Sequence, residues 1–167
     1  YDLLNHLLSF NVDRRWRRRA IAALNVAREP AGRYLDLCAG TLDVSAQLAR
    51  TAGFRGSVIG ADFAEPMLRA GLDKAPRHVV RPVAADALHL PLADASVAGA
   101  VVAFGIRNLA DLDAGLREVW RVLAPGARCV ILEFSTPPAW VVRAAYHAYY
   151  HHVLPFVGQL VSGHGTA

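Results

Sequence analysis

Cysteine is nearly absent from this chain: Cys38 and Cys129 are the only two in 167 residues. Both sit in apolar, strand-like runs, and two cannot build a disulfide framework. That excludes the stapled secreted scaffolds and points to a reduced, cytosolic compartment. Long unbroken apolar runs are also missing. The best candidate, AWVVRAAYHAYYHHVLPFVGQLV, is interrupted by Arg143, His147, His151, His152 and Pro155. It falls short of the ~18 residues that a membrane span needs, so it is expected to lie on a membrane rather than cross one. Repeats and low-complexity tracts are absent, which excludes solenoid arrays. With 54% hydrophobic and 19% charged residues, disorder is excluded too. No signal peptide opens the chain. It begins on Tyr1 and closes on SGHGTA, which leads us to expect a piece cut at both ends from a longer protein.

No zinc-ligand spacing, RNA-binding strand motif or recognition-helix pattern is present, so neither a metal centre nor a nucleic-acid partner is expected. Acids are outnumbered instead. The net charge is +4, and much of the excess lies in RRWRRR, residues 14 to 19. Such a run is either a solvated helix face or an attractor for an anionic membrane surface.

The apolar pattern organises the rest. Residues 1 to 28 carry helical spacing, ended by Pro30-Ala31-Gly32. Strand RYLDLC, helix 43 to 53, strand GSVIGAD and helix 64 to 74 follow. Strand HVVRPVAAD comes next, with Pro82 marking an edge position. Strand VAGAVVAF, helix 111 to 123, a PGA turn and strand RCVILEF complete the series. Apolar strands alternating with helices predict a doubly wound α/β fold with a parallel sheet, order 3-2-1-4-5, flanked by N-terminal helices. One domain is expected: a helical cap over 1–30, a cofactor-binding core over 31–136 and an aromatic helical segment over 137–167 for substrate or membrane. Ligands bind such sheets outside the carboxyl ends of the strands. That rule selects Asp36 to Thr41, Asp62, Asp86, Phe104 to Asn108 and Glu133 to Thr136.

The loop YLDLCAGTLD poses the cofactor question. A dinucleotide needs G-x-G-x-x-G, but with Gly40 as the middle glycine the outer positions hold Cys38 and Asp43. A carboxylate at a helix N-terminus repels a pyrophosphate, so NAD is disfavoured. S-adenosyl-L-methionine carries no phosphate and suits the loop better. Asp36 is placed for its ammonium, directly or through water. Gly40 lets the backbone approach, and Thr41 offers a hydroxyl and an amide to the carboxylate. Asp62 can accept both ribose hydroxyls, Asp86 the adenine amino group, and the Ala87 amide faces the ring nitrogens. For any one of these acids alone, a helix cap is the simpler reading. Three at the ends of three successive strands favour a ligand.

Four segments carry a wider resemblance: YDLLNHLLSFNVDRRWRR, LDLCAGTLD with ADFAEPML, FGIRNLADLDAGLREVWRVLAPGA with LEFSTP, and YHAYYHHVLPFVGQLVSGHGTA. On these the chain resembles the ubiquinone/menaquinone biosynthesis C-methyltransferases over nearly its whole length. The resemblance implies a Rossmann-like class I methyltransferase fold whose C-terminal strands are missing here. It implies S-adenosylmethionine as donor, a ring carbon of a polyprenylated quinol precursor as acceptor, and cofactor roles for Thr41, Asp62, Asp86 and Ala87. The family loop reads G-T-G-D where this chain has Gly40-Thr41-Leu42-Asp43, and a serine common at the end of the fourth strand is Ala103. Leu42 is compatible with binding if it takes helical dihedrals and packs beneath the loop.

Carbon methylation of a quinol requires a phenolate-like ring facing the methyl group. Arg107 is the expected phenolate stabiliser, since arginine keeps its proton. Asn108 orients the ring oxygen and Tyr1 joins the network. The general base is His147, His151, His152 or water. Leu3, Leu4, Leu7, Leu8 and Phe10, with Tyr146, Tyr150 and Val153, form the walls for an isoprenoid tail or else belong to the core. A homodimer or a quinone-biosynthesis complex is a further expected assembly. The alternative to an enzyme is a non-catalytic scaffold or quinone-binding partner of the same fold.

Overall fold

The computed structural model describes residues 12–134, and the compact unit considered below spans Arg14–Glu133. Tyr1, the expected N-terminal apolar wall and the aromatic segment with its three histidines lie outside the described residues. The elements run α1 (Val12–Leu24), β1 (Arg33–Leu37), α2 (Asp43–Ala49), β2 (Ser57–Asp62), α3 (Glu65–Ala70), β3 (Val80–Ala84), β4 (Val97–Ala103), α4 (Leu112–Val122) and β5 (Leu123–Leu132). Two single 3-10 turns, Val26–Arg28 and Ile106–Asn108, complete the path.

The five strands form one sheet in the order β3-β2-β1-β4-β5, every pair parallel. The chain switches direction across the sheet between β1 and β4. As Pro82 requires, β3 is an edge strand, because a central position would leave a ladder partner without its N–H. Alternate strand residues face opposite layers. Tyr34, Val58 and Val101 pack with Ala20, Ile21 and Leu24 of α1, with Leu48 of α2 and with Leu68 of α3. Leu35, Leu37, Ile59, Ala100 and Val102 pack with Val119 and Val122 of α4. Both layers are needed because a parallel sheet buries both faces.

The PGA segment differs from the expected turn before the last strand. Pairing with β4 begins at Leu123 opposite Val97 and resumes at Arg128 opposite Gly99. Pro125-Gly126-Ala127 is therefore an irregular bulge inside β5, and Gly126 takes φ +76°. At the other end of α4, the Asp111 side chain caps the helix by accepting from the Ala114 amide at 2.9 Å. Arg121 braces the long β3–β4 connection: it donates to the Leu90 and Leu92 carbonyls and pairs with Asp94 and Glu118.

The turn from β1 into α2 carries the main departure from expectation. Leu42 is not helical: φ +63°, ψ 24° places it in the left-handed region. Cys38 and Gly40 are left-handed as well, at φ +57° and +51°. An L-residue with a side chain loses about 1–2 kcal/mol in that region. What holds Leu42 there is burial. It is 1% exposed, packed beneath the loop as the sequence suggested. The space for it exists because residue 60 is glycine: a Cβ on Gly60 would stand 2.4 Å from the Leu42 Cδ2.

The strain and the burial can be weighed. Truncating a buried leucine costs about 2–5 kcal/mol, against the ~1–2 kcal/mol that glycine would relieve at this dihedral. Burial wins. Leu42→Gly, although it restores the family's loop residue, should destabilise the fold by about 2 kcal/mol in chemical denaturation. A stabilised Leu42→Gly variant would show that backbone strain dominates at this position.

Candidate functional site

The carboxyl ends of β1, β2 and β3 meet on one edge of the sheet, where Leu37 is in register with Ala61 and Asp62 with Ala84. Asp62 organises this edge. Its Oδ2 accepts from the Gly40 amide at 2.8 Å, and its Oδ1 accepts from the Ala64 amide at 2.8 Å. Two backbone donors thus fix the carboxylate plane and tie β2 to the β1 loop. A carboxylate has about four acceptor sites, so each oxygen keeps one for a further donor. Among the described residues Gly40 is open: a Cβ there would meet only the Met67 Cε, at 3.7 Å.

Asp86 follows β3 and is half exposed. Its Oδ1 accepts from the Leu88 amide at 2.9 Å, and His89 Nδ1 lies 3.6 Å from its Oδ2. Among the described residues the intervening Ala87 amide has no acceptor, which leaves it available beside Asp86. Phe63 is 85% exposed directly after Asp62, an apolar face next to a carboxylate. Phe63 is not among the residues expected from the sequence. An aromatic following an acid at a strand end was the available signal.

Asp36 sits differently from the expectation. It is 1% exposed, and its Oδ2 accepts from both the amide and the hydroxyl of Ser45, at 2.8 and 2.6 Å. Burial, opposed by the Ser45 bonds, pushes its carboxyl up to about 7. A direct contact with a cofactor ammonium is closed to so buried a group. Its visible work is to anchor the first turn of α2 from beneath. Cys38, in the same loop, is pushed up to about 11 by burial and by the nearby Asp62 and Asp36 carboxylates. It therefore stays a thiol at neutral pH and offers no thiolate to an electrophile.

Thr41 and Asp43 are held by two cations. Lys74 Nζ donates to Thr41 Oγ1 at 2.7 Å and to Asp43 Oδ1 at 2.8 Å, while Arg17 Nη1 pairs with Asp43 Oδ2 at 2.8 Å. Arg17 belongs to the basic run, but at 13% side-chain exposure it is a brace for the loop rather than part of a solvated face. One turn of the same helix brings Trp16 to Phe104, ring centroids 6.3 Å apart and tilted by 54°. Helix α1 thereby touches both loops at the switch point, after β1 and after β4. No sequence pattern marks Lys74 or separates Arg17 from its neighbours.

Arg107 lies in the 3-10 turn after β4 and donates from Nη1 to Glu133 Oε1 at 2.5 Å, at the end of β5. Asp111, in the same connection, is the cap of α4. Asn108 is exposed in the same turn. The structure therefore gathers Gly40, Thr41, Asp62, Asp86 and Ala87 along the ends of β1 to β3. Arg107 and Asn108 stand after β4, and Asp36 is sealed beneath.

The donor set fits a nucleoside without phosphates. An oriented carboxylate suits a pair of vicinal hydroxyls, an acid next to a spare amide suits an aminopurine edge, and an exposed aromatic suits its face. Gly40 offers the close approach, and the paired Asp43 at the helix start argues against a pyrophosphate. A doubly wound sheet carrying this site is a methyltransferase-type fold. It is similar to the crystal structure of a SAM-dependent methyltransferase from Aquifex aeolicus, with TM-score 0.59 and 23% identity over 70% of this chain and 65% of that one. The demethylmenaquinone methyltransferase of Thermus thermophilus is 48% identical over 98% of this chain and 74% of its own length. The ubiquinone/menaquinone biosynthesis C-methyltransferase UbiE of Geobacter sulfurreducens is 42% identical over 99% and 66%. The model of the ubiE/COQ5 methyltransferase family matches residues 1–165, and the chain belongs to that family. S-adenosylmethionine is its methyl donor.

The buried acid generates a pH test. Asp36 titrates near 7 when folded and near 3.8 when exposed. Between those values the folded chain holds a proton that the unfolded chain has lost, so this contribution to stability is full below pH 4 and disappears as pH rises through 7. The slope reaches at most about 1.4 kcal/mol per pH unit. Asp36→Asn keeps the acceptor without the charge, and melting curves from pH 4 to 8 should show a flatter fall than wild type. Parallel curves would mean that Asp36 is ionised throughout.

Proposed function

We propose that this chain methylates a ring carbon of a polyprenylated quinol precursor in menaquinone or ubiquinone biosynthesis, using S-adenosylmethionine. The observation that carries the reading is the Asp62 carboxylate, aimed by two amides beside an open glycine, at the mouth that α1 closes. When bound, the donor supplies an electrophilic methyl group on a sulfonium. Asp62 accepts the ribose hydroxyls, Phe63 lies along the adenine, and Asp86 with the Ala87 amide reads its edge. Thr41, fixed by Lys74, meets the methionine carboxylate.

On the acceptor side the protein has to position a ring carbon in line and favour ionisation of the neighbouring hydroxyl. Arg107 does this through its guanidinium, and the ion pair with Glu133 fixes the direction of the fork. Asn108 orients the ring oxygen. Tyr1 and the residues of the aromatic segment 137–167, outside the described residues, complete the network and the tail channel. Arg14 to Arg19, apart from Arg17, draw the protein to an anionic membrane surface where such a quinol resides. No helix among the described residues is long and apolar enough to cross a membrane, so contact with the bilayer is peripheral on this reading. The non-catalytic alternative leans on Leu42 and Ala103, and the burial of Leu42 beneath the loop speaks against the first of these.

The test is transfer of labelled methyl from S-adenosylmethionine to a polyprenyl quinol, followed by extraction into organic solvent. Label in the quinol is expected, and its absence with folded protein sinks the proposal. Asp62→Ala should lose most cofactor affinity by calorimetry, since each of two charge-assisted hydrogen bonds is worth about 1.5–3 kcal/mol. Unchanged affinity would reduce Asp62 to a loop restraint.

Arg107 should matter to turnover and little to cofactor binding. Arg107→Ala should lower the single-turnover rate by about 2.7–4 kcal/mol in barrier, as for a lost oxyanion donor, and Arg107→Lys by less. The Glu133 pair is partly exposed and worth about 0–1 kcal/mol, so folding should hold. Normal single-turnover chemistry in Arg107→Ala removes this residue from the mechanism.

A further inference from the structure

One groove lies away from the cofactor mouth. It has a volume of about 660 Å³ between α1, the turn after it and the end of α2. Arg14 and Arg18, one helical turn apart on α1, line one side, and Arg50 lines the other. Ile21 and Val26 are among its apolar lining, and among the described residues no acidic side chain lines it. Among the described residues Arg14 and Arg18 have no carboxylate partner, and Arg50 donates only to the Lys74 carbonyl, at 2.5 Å. Gln47, also in the lining, has its Oε1 buried without a hydrogen-bond donor. Three guanidinium groups without a carboxylate partner among the described residues, two from α1 and one from the C-cap of α2, thus surround a partly apolar hollow.

We propose that this groove binds the phosphodiester headgroup of an anionic membrane lipid. The guanidinium forks match phosphate oxygens, a headgroup hydroxyl satisfies Gln47 Oε1, and the apolar lining receives the glyceryl and first acyl carbons. This rests on the reading that the substrate is a quinol held in a bilayer, and it turns a general attraction into a defined site. Because Arg17 and Trp16 of the same helix brace the cofactor mouth, a lipid held by Arg14 and Arg18 sets the orientation of that mouth to the membrane.

The experiment uses the full chain and sedimentation with vesicles of phosphatidylcholine, alone or with phosphatidylglycerol added. Arg14→Gln/Arg18→Gln is compared with Arg15→Gln/Arg19→Gln, which removes the same charge from the same helix but outside the groove. Melting curves confirm folding of both. Arg14→Lys/Arg18→Lys keeps the charge and loses only the fork. Wild type should bind vesicles containing phosphatidylglycerol, and the groove pair should weaken binding roughly tenfold more than the control pair. The lysine pair should fall between them, and inorganic phosphate should not displace the vesicles. Equal losses in the two glutamine pairs would leave diffuse charge attraction and overturn the groove alone. Wild-type protein that ignores phosphatidylglycerol would overturn the membrane reading as well. Saturation by inorganic phosphate, with the same arginine dependence and no vesicle binding, would reassign the groove to a soluble anion.

Discussion

The bond between the Gly40 amide and the Asp62 carboxylate is the constraint on which the site depends. It joins the ends of two neighbouring strands across a turn that reverses the chain through left-handed residues 38, 40 and 42. Local preference opposes that turn at Cys38 and Leu42, so it persists only because the surroundings determine it. From above, Asp62 holds it. From below, Leu42 fills the hollow left by Gly60, and Asp36 secures the helix that follows through Ser45. This edge is held by rigid backbone and is not built as a phosphate cradle.

The second tier is electrostatic. Asp43 stands where a helix N-terminus welcomes an acid, and it is shared between Arg17 of α1 and Lys74 beyond α3. With Trp16 against Phe104, this makes α1 part of the mouth. On our proposals, one helix serves three purposes: its inner face braces the cofactor loop, one flank binds a lipid headgroup, and the remaining arginines face solvent. Position along the helix separates these roles. Residues 14 and 18 repeat on one face, 16 lies on the opposite one, and 17 sits between them.

Much of this was legible in the residues. Apolar runs such as VIGA and AVVA, separated by helical spacing, define the strands, and Pro82 marks β3 as an edge. Of the acids at strand ends, Asp62 and Asp86 come together along one edge of the sheet. What failed did so for a common reason: a linear pattern gives position along the backbone but not the direction of a side chain. Asp36 stands at a strand end like Asp62, yet alternation turns it into the core. From the sequence, Leu42 is tolerable only if helical. It is tolerated instead through a long-range partner, Gly60, that no local window reveals. Arg17 is indistinguishable from the four other arginines of its run until Asp43 is placed beside it. The PGA bulge reads as a turn because nothing local shows that Leu123 pairs with Val97.

The central claim is that the loop with Leu42 keeps a working cofactor site. A crystal structure of the chain with S-adenosylhomocysteine tests it most directly. The account predicts the ribose hydroxyls on Asp62, the Gly40–Asp62 bond intact, and Leu42 still buried against Gly60. A ligand bound elsewhere, or a loop that must expel Leu42 to admit it, would contradict the account.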